Sequence, residues 1–176
     1  IVALIDTPGA YPGLKAEERG QAHAIATNLK EMSRLKTPIV SIVIGEGGSG
    51  GALGLGVADR VAMLQFSWYS VISPEGCAAI LWKDASHAPR AAEILKLTSA
   101  DLERFEIVDE VIQEPTGGAH REPMVTIRDV EEAILRHLDQ VSDLDPEERK
   151  LKRFDKYMAI GRYADQQQQM VVEDLG

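Results

Sequence analysis

Cysteine is nearly missing from these 176 residues; Cys77 is the only one. An intrachain disulfide is excluded, a thiolate zinc site has one ligand at most to draw on, and a reducing compartment fits. No apolar run approaches the roughly 20 residues of a membrane-spanning helix. The opening Ile1-Val-Ala-Leu-Ile5 lacks the charged leader and small-residue cleavage pattern of a signal peptide. Positive charge is in short supply, with 19 Lys and Arg against 28 Asp and Glu and a net charge of −9. A surface built to bind a nucleic-acid backbone is basic, so that role is argued against. No internal repeat recurs at a solenoid period.

What remains is enough for one folded domain. The apolar fraction is 44%, close to that of ordinary globular proteins. The chain has no initiator Met and opens inside an apolar run. It therefore reads as a piece of a longer polypeptide, with N-terminal strands missing and a sheet edge left open.

Residues 1–5 read as a buried strand closed by Asp6-Thr-Pro-Gly9, and the loop continues to Gly13. Ala22, Ile25, Ala26, Leu29 and Met32 fall on one face of a helix expected over 17–35, ended by Pro38. Residues 39–44 form a second apolar run, 45–51 a glycine turn, and 52–57 a small, tightly buried helical turn. Short strands are expected at 59–64, 70–72 and 111–113. Helices are expected at 74–82, with Ser73 as N-cap and Pro74 in first position, then at 89–97, 98–105, 124–138 and 146–159. Residues 1–122 form the core, 123–165 a helical region of the same domain, and 166–176 a polar tail. Strand, helix, strand, glycine turn and helix make a βαβ unit with parallel pairing. That topology sets residues 8–13 beside 47–52 on one rim, where a ligand should bind.

Glycine is plentiful, 15 in all, and five fall in Gly45-Glu-Gly-Gly-Ser-Gly-Gly51. Glycines let backbone and ligand approach closely. A helix start leaves N–H groups free and carries partial positive charge, so the segment suits an anion or oxyanion. A nucleotide phosphate loop would end in Lys-Ser or Lys-Thr, which is absent. Gly45, Gly47 and Gly50 fit a dinucleotide fingerprint, but Asp59 comes too early to serve as its acidic residue. Gly47-Gly-Ser-Gly-Gly51 satisfies the nucleophile-elbow pattern, with Ser49 as nucleophile and His120, His137, Asp129 and Asp139 as the downstream triad candidates.

Three stretches together resemble one family. They are Ile5-Asp-Thr-Pro-Gly-Ala-Tyr-Pro-Gly13 with Glu17-Glu-Arg-Gly-Gln21, then Ile44-Gly-Glu-Gly-Gly-Ser-Gly-Gly-Ala52, and Tyr69-Ser-Val-Ile-Ser-Pro-Glu-Gly-Cys77 with Ile80-Leu-Trp82. Glu114-Pro-Thr-Gly-Gly-Ala-His-Arg121 adds a fourth. The chain resembles the carboxyltransferase α subunits of multisubunit acetyl-CoA carboxylases over roughly residues 3–158.

The resemblance implies an α/β crotonase/ClpP-like fold of repeated ββα units with a parallel sheet, followed by C-terminal helices. It implies transfer of the carboxyl group from carboxybiotin, presented by a biotin carboxyl carrier protein, to acetyl-CoA. The product is malonyl-CoA, in the first committed step of fatty acid synthesis. Free biotin N1 takes the acetyl proton, and two oxyanion holes stabilise the charge, one per subunit. The implied partner is a β subunit in an α2β2 heterotetramer, with zinc on that subunit only and no cofactor bound covalently to this chain. The expected compartment is a bacterial cytoplasm or a plastid stroma.

Backbone N–H groups suit a diffuse ureido oxyanion without any titratable partner. The expected donors are those of Gly51 and Ala52, with Gly50 permitting the approach. Gly9, Ala10, Tyr11, Pro12, Gly13, Gly47 and Gly48 are the expected substrate-binding rim. Tyr11 suits a pocket wall or an interface equally. Glu17, Glu18 and Arg19 suit a first helical turn, and Cys77 suits a buried small hydrophobe. His120 and Arg121 suit either a partner contact or a loop hydrogen bond. Trp68, Tyr69 and Trp82 read as core or interface, and the charges of 131–136 as a solvated helix face. Two other functions stay open: a serine hydrolase using Ser49, and a non-catalytic scaffold for the β subunit.

Overall fold

The computed structural model describes residues 1–161; the polar tail expected at 166–176 lies outside the described residues. The chain runs β1 (Val2–Thr7), α1 (Leu14–Glu18), α2 (Gln21–Arg34), β2 (Val40–Gly48), α3 (Ser49–Gly56), β3 (Arg60–Leu64), β4 (Trp68–Ser70) and α4 (Pro74–Trp82). A 3-10 turn (Ala85–His87) then leads to α5 (Ala88–Leu95), α6 (Ser99–Arg104), β5 (Glu110–Ile112), α7 (Pro123–Ser142) and α8 (Pro146–Met158).

The sheet order is β1-β2-β3-β5, with β4 paired to the far end of β2, and each strand pairing is parallel. Strands buried on both faces read as continuous apolar runs, which is why residues 39–44 show no polar alternation. Ile39, Val43, Val61 and Met63 pack one way, with Met32 of α2, Ala52 of α3 and Leu102 of α6. Val40, Ile42, Ala62 and Leu64 pack the other way, with Ala133 of α7. The sheet is thus sandwiched between helical layers, as an α/β fold requires.

Two expectations are corrected. The helix expected over 17–35 is broken in two, because Gly20 takes a left-handed φ of +80° and caps α2. The glycine turn is largely strand. β2 continues to Gly48, and Glu46, Gly47 and Gly48 pair with Trp68, Tyr69 and Ser70. The strand expected at 70–72 is accordingly displaced toward the N-terminus, to Trp68–Ser70.

Buried arginines fasten α8 to this body. Arg153, 2% exposed, donates to both carboxylate oxygens of Asp59 at 2.8 Å and to the carbonyls of Met32, Leu35 and Thr37. Asp59 also accepts from Ile39 N–H at 2.7 Å. It sits at the start of β3, away from the strand ends where a ribose would bind, so it plays no part in nucleotide recognition. Arg149 in turn caps the C-terminal end of α7 through the carbonyls of Val141, Ser142 and Leu144.

Candidate functional site

The rim forms because β1 and β2 run parallel and end together. Their register slips after Ile5–Val43, so that Thr7 faces Gly47. Extra residues of β2 bulge there, and Asp6 Oδ1 fills the gap by accepting from Glu46 N–H at 2.9 Å. A side chain on Gly45 would collide with that carboxylate, its Cβ 2.5 Å from Asp6 Oδ1. The slip delivers the loop after β1 onto the start of α3. A Cβ on Gly48 would lie 2.2 Å from the carbonyl of Pro8, and one on Gly51 3.0 to 3.2 Å from Gly9 and Ala10. Gly9, Ala10, Gly48 and Gly51 are therefore brought together as the topology predicts, and glycine is required for the contact itself.

α3 begins at Ser49 with Gly48 as N-cap and no side chain capping it. The first helical hydrogen bond then joins Gly48 C=O to Ala52 N–H. Ala52 is fully buried in the core. The N–H groups of the first turn of α3, those of Ser49, Gly50 and Gly51, have no acceptor within the helix; Gly51 is one of the expected donors. Beside them opens a cleft of about 340 Å³, lined by Ser49, Gly50, Leu53, Tyr69, Val71 and Leu102. α3 carries no charged side chain, so none of its own residues offsets the positive potential of the helix start.

Tyr69 closes the inner wall. Its ring packs where a Cβ on Gly47 would sit, and its hydroxyl where one on Gly56 would. Burial pushes its phenol above its ordinary range, so it stays neutral. The sequence pointed to Tyr69 only as core or interface; glycines at Gly47 and Gly56 are the signal that an aromatic lies over them.

Tyr11 is 73% exposed and its ring lies over Gly13. Its backbone N–H and C=O pair with the Gln21 amide at 3.0 and 2.9 Å, in the amide orientation that satisfies both. Pro12 and Gly13 follow it outward to the start of α1, so the far half of the expected rim is solvent-facing. The downstream loop is latched to the sheet by Glu114, whose carboxylate accepts from Phe66 N–H at 2.9 Å and from Ala119 N–H at 2.7 Å. His120 lies against Gly118 and Arg121 against Gly117. His137 is a buried residue of α7, 2.9 Å from the Glu110 carboxylate, with Gln140 at its other nitrogen. None of the triad candidates is hydrogen-bonded to Ser49. Cys77 is buried among Ala78 and Ala91, as a small hydrophobe. No grouping of three or more potential metal ligands occurs among the described residues.

The fold is a crotonase-like α/β scaffold. Solved structures share it. A Pseudomonas malonate decarboxylase hetero-tetramer in complex with coenzyme A superposes with a TM-score of 0.70 at 16% identity, over 99% of this chain and 65% of that one. Transcarboxylase 12S, with methylmalonyl-coenzyme A and methylmalonic acid bound, superposes at 0.66 and 21% identity, over 94% of this chain and 29% of that one.

Sequence narrows the class. Residues 1–161 match the family described as acetyl co-enzyme A carboxylase carboxyltransferase-like, and the chain belongs to it. The acetyl-coenzyme A carboxylase carboxyl transferase subunits alpha of Flavobacterium psychrophilum and Chlamydia trachomatis serovar L2 are 55% and 58% identical over 163 residues. That of Thermus thermophilus is 52% identical over 164 residues. Each alignment covers 93% of this chain and 50 to 53% of the relative; the chain spans about half the length of the curated relatives it matches.

Proposed function

We propose that this chain is the rim-bearing part of a carboxyltransferase α subunit, which moves a carboxyl group from carboxybiotin on a carrier protein to acetyl-CoA and yields malonyl-CoA. The observation that carries the reading is the rim itself: free N–H groups at the start of α3, held against Gly9 and Ala10 beside an apolar cleft. The cleft walls suit the apolar ring of biotin. The N–H groups of Gly50 and Gly51 face the ureido oxygen, where negative charge grows as the N1–carboxylate bond breaks. Ala52 supports them from the core. N1, left with an electron pair, takes a proton from the acetyl methyl group, and the enolate carbon then takes up the released carboxyl carbon. The thioester enolate is held by a β subunit in an α2β2 assembly, which also carries the zinc. Gly47, Gly48, Gly9 and Ala10 shape the rim, with Tyr11, Pro12 and Gly13 at its outer lip. The relatives named above are bacterial, which favours a bacterial cytoplasm over a plastid stroma.

The test is malonyl-CoA decarboxylation with free biotin, run with the full α chain, with the β subunit, and with both. Turnover only with both is the expected result. Turnover by the α chain alone, or labelling of Ser49 by a fluorophosphonate probe, would overturn the reading in favour of a hydrolase. Unchanged turnover after Gly51 is made bulky would leave only the scaffold role.

A further inference from the structure

We infer that the Ser49 hydroxyl is itself a substrate-contacting group, donating a hydrogen bond to the ureido and N-carboxylate end of the biotin ring. This rests on the carboxyl-transfer reading above and adds a side chain to a site otherwise built of backbone.

The argument begins with the backbone. Within residues 45–51, where five of seven positions are glycine, the one residue with a left-handed φ is Ser49, at +48°. Glycine takes that conformation freely, and an L side chain does not. Glycines occupy the positions on either side, yet the position that backbone conformation most favours for glycine holds a serine.

Local structure gives the hydroxyl no employment. The N-cap of α3 is Gly48, and no side chain caps the helix. Ser49 is exposed, and its hydroxyl makes no hydrogen bond among the described residues. The other serines near the sheet behave differently: Ser41 donates to Leu55 C=O at 2.7 Å and Ser70 to Ile72 C=O at 2.8 Å. Ser49 lines the apolar cleft beside Gly50. Its Cβ lies 3.7 Å from the position a Cβ on Gly9 would take, so the β1 loop fixes the direction in which it projects. A neutral donor at that point suits an anionic carbamate. Aspartate, which tolerates left-handed φ, would repel it.

The test compares Ser49→Gly, Ser49→Ala and Ser49→Asn in the assembled carboxyltransferase, following malonyl-CoA decarboxylation at varied biocytin. Loss of one hydrogen bond to the uncharged ureido oxygen of biocytin raises its KM about fivefold. The Gly and Ala variants rise together, because both lack the hydroxyl although only one relieves the backbone. The KM for malonyl-CoA stays within about twofold. Asn, which accepts left-handed φ and keeps a donor, recovers most of the loss.

A wild-type KM for biocytin in the Gly variant, or equal shifts in both KM values, would overturn the inference. Absence of biotin-dependent turnover in the wild-type assembly would instead overturn the carboxyl-transfer reading, and this inference with it.

Discussion

Alanine placed in turn at Gly48, Gly50 and Gly51 separates close packing from chemistry. At Gly48 the new Cβ falls 2.2 Å from both C and O of Pro8 and 2.7 Å from Gly9 N. These are backbone atoms at a strand end and cannot rotate away. The rim must open by about 1 Å to regain ordinary contact, and overpacking of that kind costs about 1–3 kcal/mol. At Gly51 the nearest backbone atoms are 3.0 to 3.2 Å away, so a displacement of a few tenths of an ångström suffices and the cost is about 1 kcal/mol. At Gly50 the nearest atom is Ile25 Cγ2, 4.0 Å away, and φ is not left-handed. Alanine there restricts the unfolded chain and gains about 0.5 kcal/mol. The expected order of urea midpoints is Gly50→Ala, wild type, Gly51→Ala, Gly48→Ala. In melting temperature the span is roughly 5–10 °C for a domain of this size. Carboxyl transfer should fall in Gly48→Ala and Gly51→Ala, which displace the backbone of the rim, and hold in the stabilised Gly50→Ala, whose methyl points toward Ile25 of α2 and not toward a residue of the cleft wall. A Gly48→Ala variant that melts with the wild type would refute the packing argument. A fully active Gly51→Ala variant would refute the placement of substrate beside α3.

Removing Arg153 as Arg153→Met leaves the Asp59 carboxylate buried and unpaired and strips three carbonyls of their donor; a loss of about 3–5 kcal/mol in urea unfolding is expected. Ile42→Ala, at a fully buried position in the α7-facing core, should cost about 2–5 kcal/mol by the same measurement. Gly20→Ala meets no atom within 4 Å but sits at φ +80°, so a loss of about 1 kcal/mol comes from backbone strain alone. Burial pushes the Asp109 carboxyl up, but Lys156, the Val61 N–H and Arg60 outweigh it and hold its folded pKa below the ordinary 3.8. Its stabilisation is complete above the unfolded value and is lost as pH falls through the lower folded value. The stability gap between wild type and Asp109→Asn should therefore be flat above about pH 5 and close below 3.8.

The order of elements was legible because most carry a local signature. The run at 39–44 could only be a doubly buried strand, and Ser73-Pro74 announces α4, where Ser73 accepts from Gly76 N–H as an N-cap. The meeting of the β1 and β2 loops followed from parallel topology. Two things were not legible. Gly20 lies inside a helical pattern, and whether it interrupts or merely weakens a helix depends on a φ that no spacing encodes. The continuation of β2 through Glu46, Gly47 and Gly48 depends on a partner, β4, some twenty residues downstream; such glycines have little strand propensity of their own. Ser49 was legible as a pattern match, but its left-handed φ and idle hydroxyl were not.

Two carboxylates at strand ends are occupied in fixing backbone. Asp6 holds Glu46 N–H, and Glu114 holds Phe66 and Ala119 N–H. Truncating either would loosen a strand-end loop and lower activity, and a scan read by kcat alone would mistake both for acid–base groups. The two cases separate on pH. A general base leaves a titration in the kcat/KM profile that disappears with it. A loop latch replaced by its isosteric amide leaves the profile's shape unchanged and lowers its height. On the proposed reading the donors are backbone N–H groups and the acids serve architecture, in keeping with a cleft lined by no acidic residue.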